Sequence, residues 1–126
     1  MTKKTAKRYP DNNPKTVYGI SKPGIKAVPA TALYHLGQAM QNGADKYGLY
    51  NWREKTVSSS IYFDAAMRHW WLWWDGENVA QDSGVHHLAH AMACAAILLD
   101  ATEIGKLNDD RGFPGTLPEF LKDHTR

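Results

Sequence analysis

"RHWWLWWDGEN", residues 68–78, sets four tryptophans within five positions, between a basic pair and an acidic pair. Each indole can bury roughly 150–250 Å², so a soluble surface carries such a cluster poorly. Three readings compete: a core helix, an assembly surface, or a wall that stacks on a flat ligand. At about 100° per residue, a helix here gathers Trp70, Trp73 and Trp74 in one arc, with Trp71 extending it. Asp64, Arg68, Trp71 and Asp75 form a neighbouring stripe, and Ala65, His69 and Leu72 lie toward the other side. The helix is therefore apolar nearly all round, with one charged seam, the pattern of a helix enclosed by others. Three helices of one short chain can hardly cover it. The sequence thus predicts helix-to-helix oligomerisation, as a tetramer or dimer, with ligand stacking by one tryptophan as a secondary role.

Outward from this helix, two more are predicted. Residues 32–48, "ALYHLGQAMQNGADKYG", form the first, with Thr31 as its cap and Asn42-Gly43 as a kink or cap. The tryptophan helix spans about residues 61–75 after the loop "LYNWREKTVSSS", whose serines cap it. The third, residues 86–104, is capped by Ser83 and carries the strong helix former "LAHAMACAAILLDA". Pro10, Pro14, Pro23 and Pro29 punctuate an extended entry, and the proline- and glycine-broken tail is expected to pack back as a short cover. No alternating strand pattern of useful length and no repeat is present. The expected fold is all-α: three main helices plus short terminal elements, one domain over residues 1–126, completed by oligomerisation.

Composition sets limits. The chain has 126 residues, 43% hydrophobic and 22% charged, typical of a folded globular domain. A single cysteine excludes an intrachain disulfide and fits a reducing cytoplasm. No run approaches the roughly 18 apolar residues of a membrane span, and the opening residues lack the apolar stretch of a secretory signal. Residues 1–28 form a basic arm. Lys3, Lys4, Lys7, Arg8, Lys15, Lys22 and Lys26 there face the single acid Asp11, but without the interleaved aromatics of a single-strand binder.

Two clusters carry candidate chemistry. "GADKYGLYNWR", residues 43–53, gathers Lys46, Tyr47, Tyr50, Asn51, Trp52 and Arg53. Cations neutralise phosphates, the amide both donates and accepts, and rings stack on a base. The competing reading is a solvated turn with Trp52 as a core plug. "GENVAQDSGVHHLAH" brings Glu77 and Asp82 toward His86, His87 and His90, with Cys94 below on the same helix. Carboxylates suit hard divalent ions and imidazoles suit Mn or Zn. Two satisfied helix histidines are the alternative. The HExxH pattern is absent, so a zinc protease is unsupported. A helical His-Asp pair is absent too, and Cys94 sits in an apolar helix, which argues against a thiol hydrolase.

The ordered set "YGISKPGIKAVP", "GADKYGLYNWR", "YFDAAMRHWW", "GENVAQDSGVHHLAHAMACAAILLDA" and "LNDDR" spans Tyr18 to Arg111. Together these motifs resemble the phage dATP/dGTP diphosphohydrolases of the MazG-like all-α NTP pyrophosphatase superfamily, among them the MazZ-type enzymes of phages that use 2-aminoadenine. The resemblance implies hydrolysis of a purine dNTP between its α- and β-phosphates, with more than one Mg²⁺ or Mn²⁺, in an oligomer. It also implies a role in the phage dNTP pool of the host cytoplasm. The superfamily's acidic ExxE and ExxD motifs are replaced here by His87-Leu88-Ala89-His90. The expected metal ligands are therefore Glu77, Asp82, His87 and His90, with Asp64 as the alternative. Glu77, Asp82 and Arg68 are the expected catalytic residues; Lys46, Tyr47, Asn51, Trp52 and Arg53 are expected to hold substrate. A carboxylate or histidine outside the ligand set is expected to orient or deprotonate the attacking water. Two other classes stand beside this reading: a nucleic-acid-binding module using the basic arm, and a structural helical oligomer without catalysis.

Overall fold

The computed structural model describes residues 9–124. Among them are six helices: α1 (Pro14–Ile20), α2 (Ala30–Tyr47), α3 (Asn51–Glu54), α4 (Ser59–Trp74), α5 (His87–Glu103) and α6 (Leu117–Asp123). Two short strands complete the set, β1 (Val57–Ser58) and β2 (Leu107–Asn108). The fold is all-α, with the three main helices where the sequence pattern put them. No described helix is long and apolar enough to cross a membrane.

The chain divides into two units, residues 1–30 and Thr31–Arg126. In the first, Lys3, Lys4, Lys7 and Arg8 of the basic arm lie outside the described residues. Pro14 does not interrupt an extended entry, as the sequence reading had it; it opens α1, where a missing N–H removes no helix bond. Asn13 caps that helix by accepting the Lys15 N–H at 2.9 Å, and Asp11 accepts the Thr16 hydroxyl at 2.9 Å.

The second unit is organised by one stripe on α5. Ala89, Ala93, Ile97 and Ala101 recur at i+4 and so share a face. Ala89 and Ala93 pack with Val85 against Ala39 of α2, flanked by Leu36 and Met40. Ala101 and Ile97 pack against Trp52 and Val57. Methyl-sized side chains let these elements approach closely. The principal helix pair is α4 with α5.

Each long helix ends on a glycine with positive φ. After α4, Gly76 has φ 112°, and the Glu77 N–H returns to the Leu72 carbonyl at 2.9 Å. After α5, Gly105 has φ 71°, and the Lys106 N–H returns to the Ala101 carbonyl at 2.8 Å. In both, the N–H of the third residue beyond the helix closes a ring onto its last turn, satisfying a carbonyl that the helix leaves open.

Local chemistry departs from the sequence reading at four places. The stretch read as loop between α2 and α4 contains α3 and β1, and β1 pairs in parallel with β2, Val57 opposite Leu107. No serine side chain caps α4; Asp110 accepts the Ser60 N–H at 2.8 Å and also the Ser60 hydroxyl. The α5 cap is the His86 ring, accepting the Leu88 N–H at 3.0 Å, rather than Ser83. Of the tail, only Leu107–Asp110 pack back, through β2 and the Asp110 cap; residues 111–124 form no cover and are all exposed, Phe113 completely. In this single chain Trp71 and Trp74 are 71% and 83% exposed, so the tryptophan face is uncovered.

Candidate active site

The ring closure on Gly76 delivers Glu77 directly into the turn between α4 and α5. That turn is held by backbone bonds, His87 N–H to the Asn78 carbonyl and Ala80 N–H to the Val85 carbonyl, both 2.9 Å. The two fix Glu77 against the first turn of α5. There His87 Nε2 lies 2.6 Å from Glu77 Oε1. The other nitrogen of His87, Nδ1, lies 2.9 Å from Nδ1 of His69, which arrives from α4. His87 is 2% exposed, so the middle of this link is buried, while Glu77 and His69 at its ends are half-buried. His69 in turn stacks on His90, centroids 4.6 Å apart and planes 17° apart. Burial, together with the neighbouring His90, His87 and Arg68, pushes His69 down to about 4, against the pull of Asp82. Burial also lowers His90.

Ser83 completes the polar cluster. Its Oγ accepts the Val85 N–H at 3.1 Å and lies 2.8 Å from His90 Nε2. A hydroxyl can accept the Val85 N–H and still share a hydrogen bond with His90 Nε2, so Ser83 serves both groups.

His69 and His90 form part of the wall of an open cavity of about 400 Å³ lined by residues of α2, α3, α4 and α5. Asp82 and Lys46 share the wall with the two histidines, and the charges of Lys46 and Asp82 both act on His90. The rest is largely apolar, formed by Ala39, Met40, Tyr62, Ala65, Ala93 and Ile97. A cavity of this size, mostly apolar with a few convergent polar groups, suits a small ligand with one flat and one charged part.

The expected substrate residues separate into two groups. Lys46, Tyr47, Asn51 and Trp52 line the cavity. Trp52 is also a core plug, 6% exposed. Arg53 points elsewhere: Nε and a terminal nitrogen bind the two Asp100 oxygens at 2.9 and 3.0 Å. Asp100 accepts the Trp52 indole N–H as well, at 2.7 Å, and the Arg53 and Trp52 hydrogen bonds hold its carboxyl below the ordinary carboxylate range. Arg68 lines a separate open groove with Trp71, Leu72, Trp74 and Asp75, although its charge reaches His69 and Cys94. Cys94 lies on the cavity wall with its thiol pushed up by burial.

The expected metal ligands are brought near one another without being gathered into a cage. Glu77 and His87 bind each other, His90 faces Ser83, and Asp82 Oδ1 accepts the Ser83 N–H at 2.9 Å. Among the described residues, no group of three or more His, Cys, Asp or Glu side chains is arranged to hold a metal ion. Asp64, the alternative, is exposed on α4.

Sequence reasoning missed His69 and Asp100. His69 shares a helical face with Tyr62 and Ala65, the face that meets α5, and a histidine there is the available signal. Asp100 carried none, since its partners lie 47 and 48 residues away.

No curated protein and no solved structure gives a significant match to the chain. A family model does: the one described as "dATP/dGTP diphosphohydrolase, N-terminal" matches residues 12–111, which include the polar cluster, the cavity wall and the Asp110 cap. The chain belongs to that dATP/dGTP diphosphohydrolase family.

Proposed function

We propose that the chain hydrolyses a purine deoxynucleoside triphosphate, dGTP or dATP, between the α- and β-phosphates, releasing the monophosphate and pyrophosphate. The observation that carries this reading is the two-ended cavity. Its apolar walls and Trp52 suit a base and sugar, while Lys46, His69, Asp82 and His90 make a polar end for the phosphates. Lys46 supplies positive charge to oxygens that gain negative charge as the bond breaks. Asn51 offers both a donor and an acceptor to the sugar or base. Arg68 acts through its field, and Arg53 holds α3 in place. Mg²⁺ or Mn²⁺ bound with the triphosphate would neutralise phosphate charge, and Asp82 and His90 at the polar end of the cavity would be the side chains placed to hold it. In a phage-infected host cell the reaction would lower one purine dNTP pool and supply its monophosphate, for 2-aminoadenine synthesis among other uses.

Incubation with each dNTP and Mg²⁺ or Mn²⁺, with products separated by chromatography, tests the reading. Monophosphate plus pyrophosphate from a purine substrate is expected, and a chelator is expected to stop it. Nucleoside plus inorganic triphosphate, or no product from any dNTP, would overturn it.

A further inference from the structure

The outer face of α4 carries charges that the chain itself leaves unmatched. Arg68, Trp71, Leu72 and Asp75 fall within about 100° of one another around the helix axis, and with Trp74 they line one open groove. All five side chains are exposed. Arg68 and Asp75 stand about 10 Å apart along the axis, too far to pair with each other. Among the described residues neither makes an ion pair or a side-chain hydrogen bond, and Asp64, one turn before Arg68, makes no ion pair with it. Tryptophans grouped with an arginine are the composition of the centre of an interface rather than of a solvated surface. The cavity lies on another face of α4, the one that carries Tyr62, Ala65 and His69, so groove and cavity are separate.

The order of the charges along the helix states what fits. A second α4 laid antiparallel, with a two-fold axis between Trp71 and Leu72, sets Arg68 of each copy opposite Asp75 of the other. Trp71 of each then meets Leu72 of the other. The symmetry forms the ion pair twice, once at each end of the seam. It also gathers the Trp71 and Trp74 rings of both copies on one flank and the two Leu72 side chains on the other. A parallel arrangement would oppose Arg68 to Arg68 and Asp75 to Asp75.

We propose that this groove is a self-association surface, on which two copies dock α4 antiparallel with Arg68 of each paired to Asp75 of the other. The rings supply the affinity. Trp71 and Trp74 of two copies bring on the order of 600–1,000 Å² of surface, about half of what a specific interface buries, and Leu72 and the Arg68 stems add to it. The ion pairs select the orientation, because like charges set against each other at an interface are costly. The inference concerns assembly and stands apart from the hydrolase reading.

Sedimentation velocity on the full chain, at micromolar concentration and low salt, tests it. The wild type is expected to sediment as a dimer or as a larger species built from dimers. Arg68→Glu and Asp75→Arg are each expected to raise the dimer Kd about tenfold or more, since one substitution sets like charges together at both ends of the seam. Helix content by circular dichroism should stay unchanged, because both side chains are exposed. An equimolar mixture of the two variants is expected to associate within about threefold of the wild type, as is the double variant, because opposite charges then meet again at both ends. A monomeric wild type, or reversals that leave association unchanged, would overturn the surface. Failure of both the mixture and the double variant to recover would overturn the pairing. Weakening by Arg68→Glu alone, with Asp75→Arg silent, would overturn the register and set Asp64 opposite Arg68 instead.

Discussion

Trp52 stands between two tasks, since one face of its side chain closes the core and the same residue lines the cavity. Truncation to alanine is expected to cost about 3–5 kcal/mol, the range for large buried aromatics, in urea unfolding monitored by circular dichroism. Loss of substrate affinity with stability intact would instead make it a stacking residue alone. Arg53→Ala is expected to lower the melting temperature, because it removes two hydrogen bonds that tie α3 to Asp100 of α5. Sequence alone offered Arg53 as a phosphate ligand, since a loop arginine beside an asparagine and a tryptophan has the right chemistry. What decided its place was Asp100, whose distance along the chain hides the pairing. The Glu77, Asp82, His87 and His90 neighbourhood was legible because a single turn joins them. His69 was not, since its place depends on how α4 docks.

Helix ends carry much of the architecture. A side chain added at Gly76 would meet nothing within 4 Å, so its cost comes from the backbone alone, at φ 112°. Gly76→Ala is expected to cost about 1–2 kcal/mol and also to reduce turnover, because Glu77 follows directly and orients His87. Thermal melts and kcat measured together check both effects; a stable variant with full activity would remove Gly76 from the site's construction. The three long helices were legible because their apolar residues recur with helical period over more than a dozen positions. α1, α3, β1 and β2 were not, since two to seven residues give too few repeats for any period to emerge. The α4 cap was equally hidden, since it comes from Asp110, 50 residues beyond Ser60.

At the scale of the whole molecule, the uncovered Trp71 and Trp74 lead to an assembly prediction. Helix-to-helix association of copies through this face would remove both rings from water, and light scattering at micromolar concentration is expected to give a dimer or tetramer. Trp71→Glu with Trp74→Glu should yield smaller species with helix content retained, because neither ring is needed by the core of one chain. A wild-type monomer would sink the idea. Acid sensitivity follows from the stacked histidines. The unfolded His69 ring takes a proton near 6.5, whereas the folded one resists until about 4. Between those values the unfolded state binds more protons, so stability rises with pH across the window and is lost as pH falls through it. Melting temperatures between pH 7 and 4.5 should show this decline, and His69→Gln should flatten it. An unchanged slope in that variant would assign the sensitivity to other groups.

The pairing of β1 with β2 has a kinetic consequence. Val57 meets Leu107, and Ser60 is held by Asp110 across 50 residues of chain, so the contact ties off a loop that contains both α4 and α5. Closing such a loop before its contents are ordered carries a large entropy penalty. The two helices, joined by the turn over residues 75–86, are therefore expected to dock first and carry the ends together, which would make the tie the last seam to form and the first to part. The Val57 amide, bonded to the Lys106 carbonyl at 3.1 Å, becomes a reporter of that event: its deuterium uptake measures partial opening of the chain ends while the helical hairpin between them is still intact.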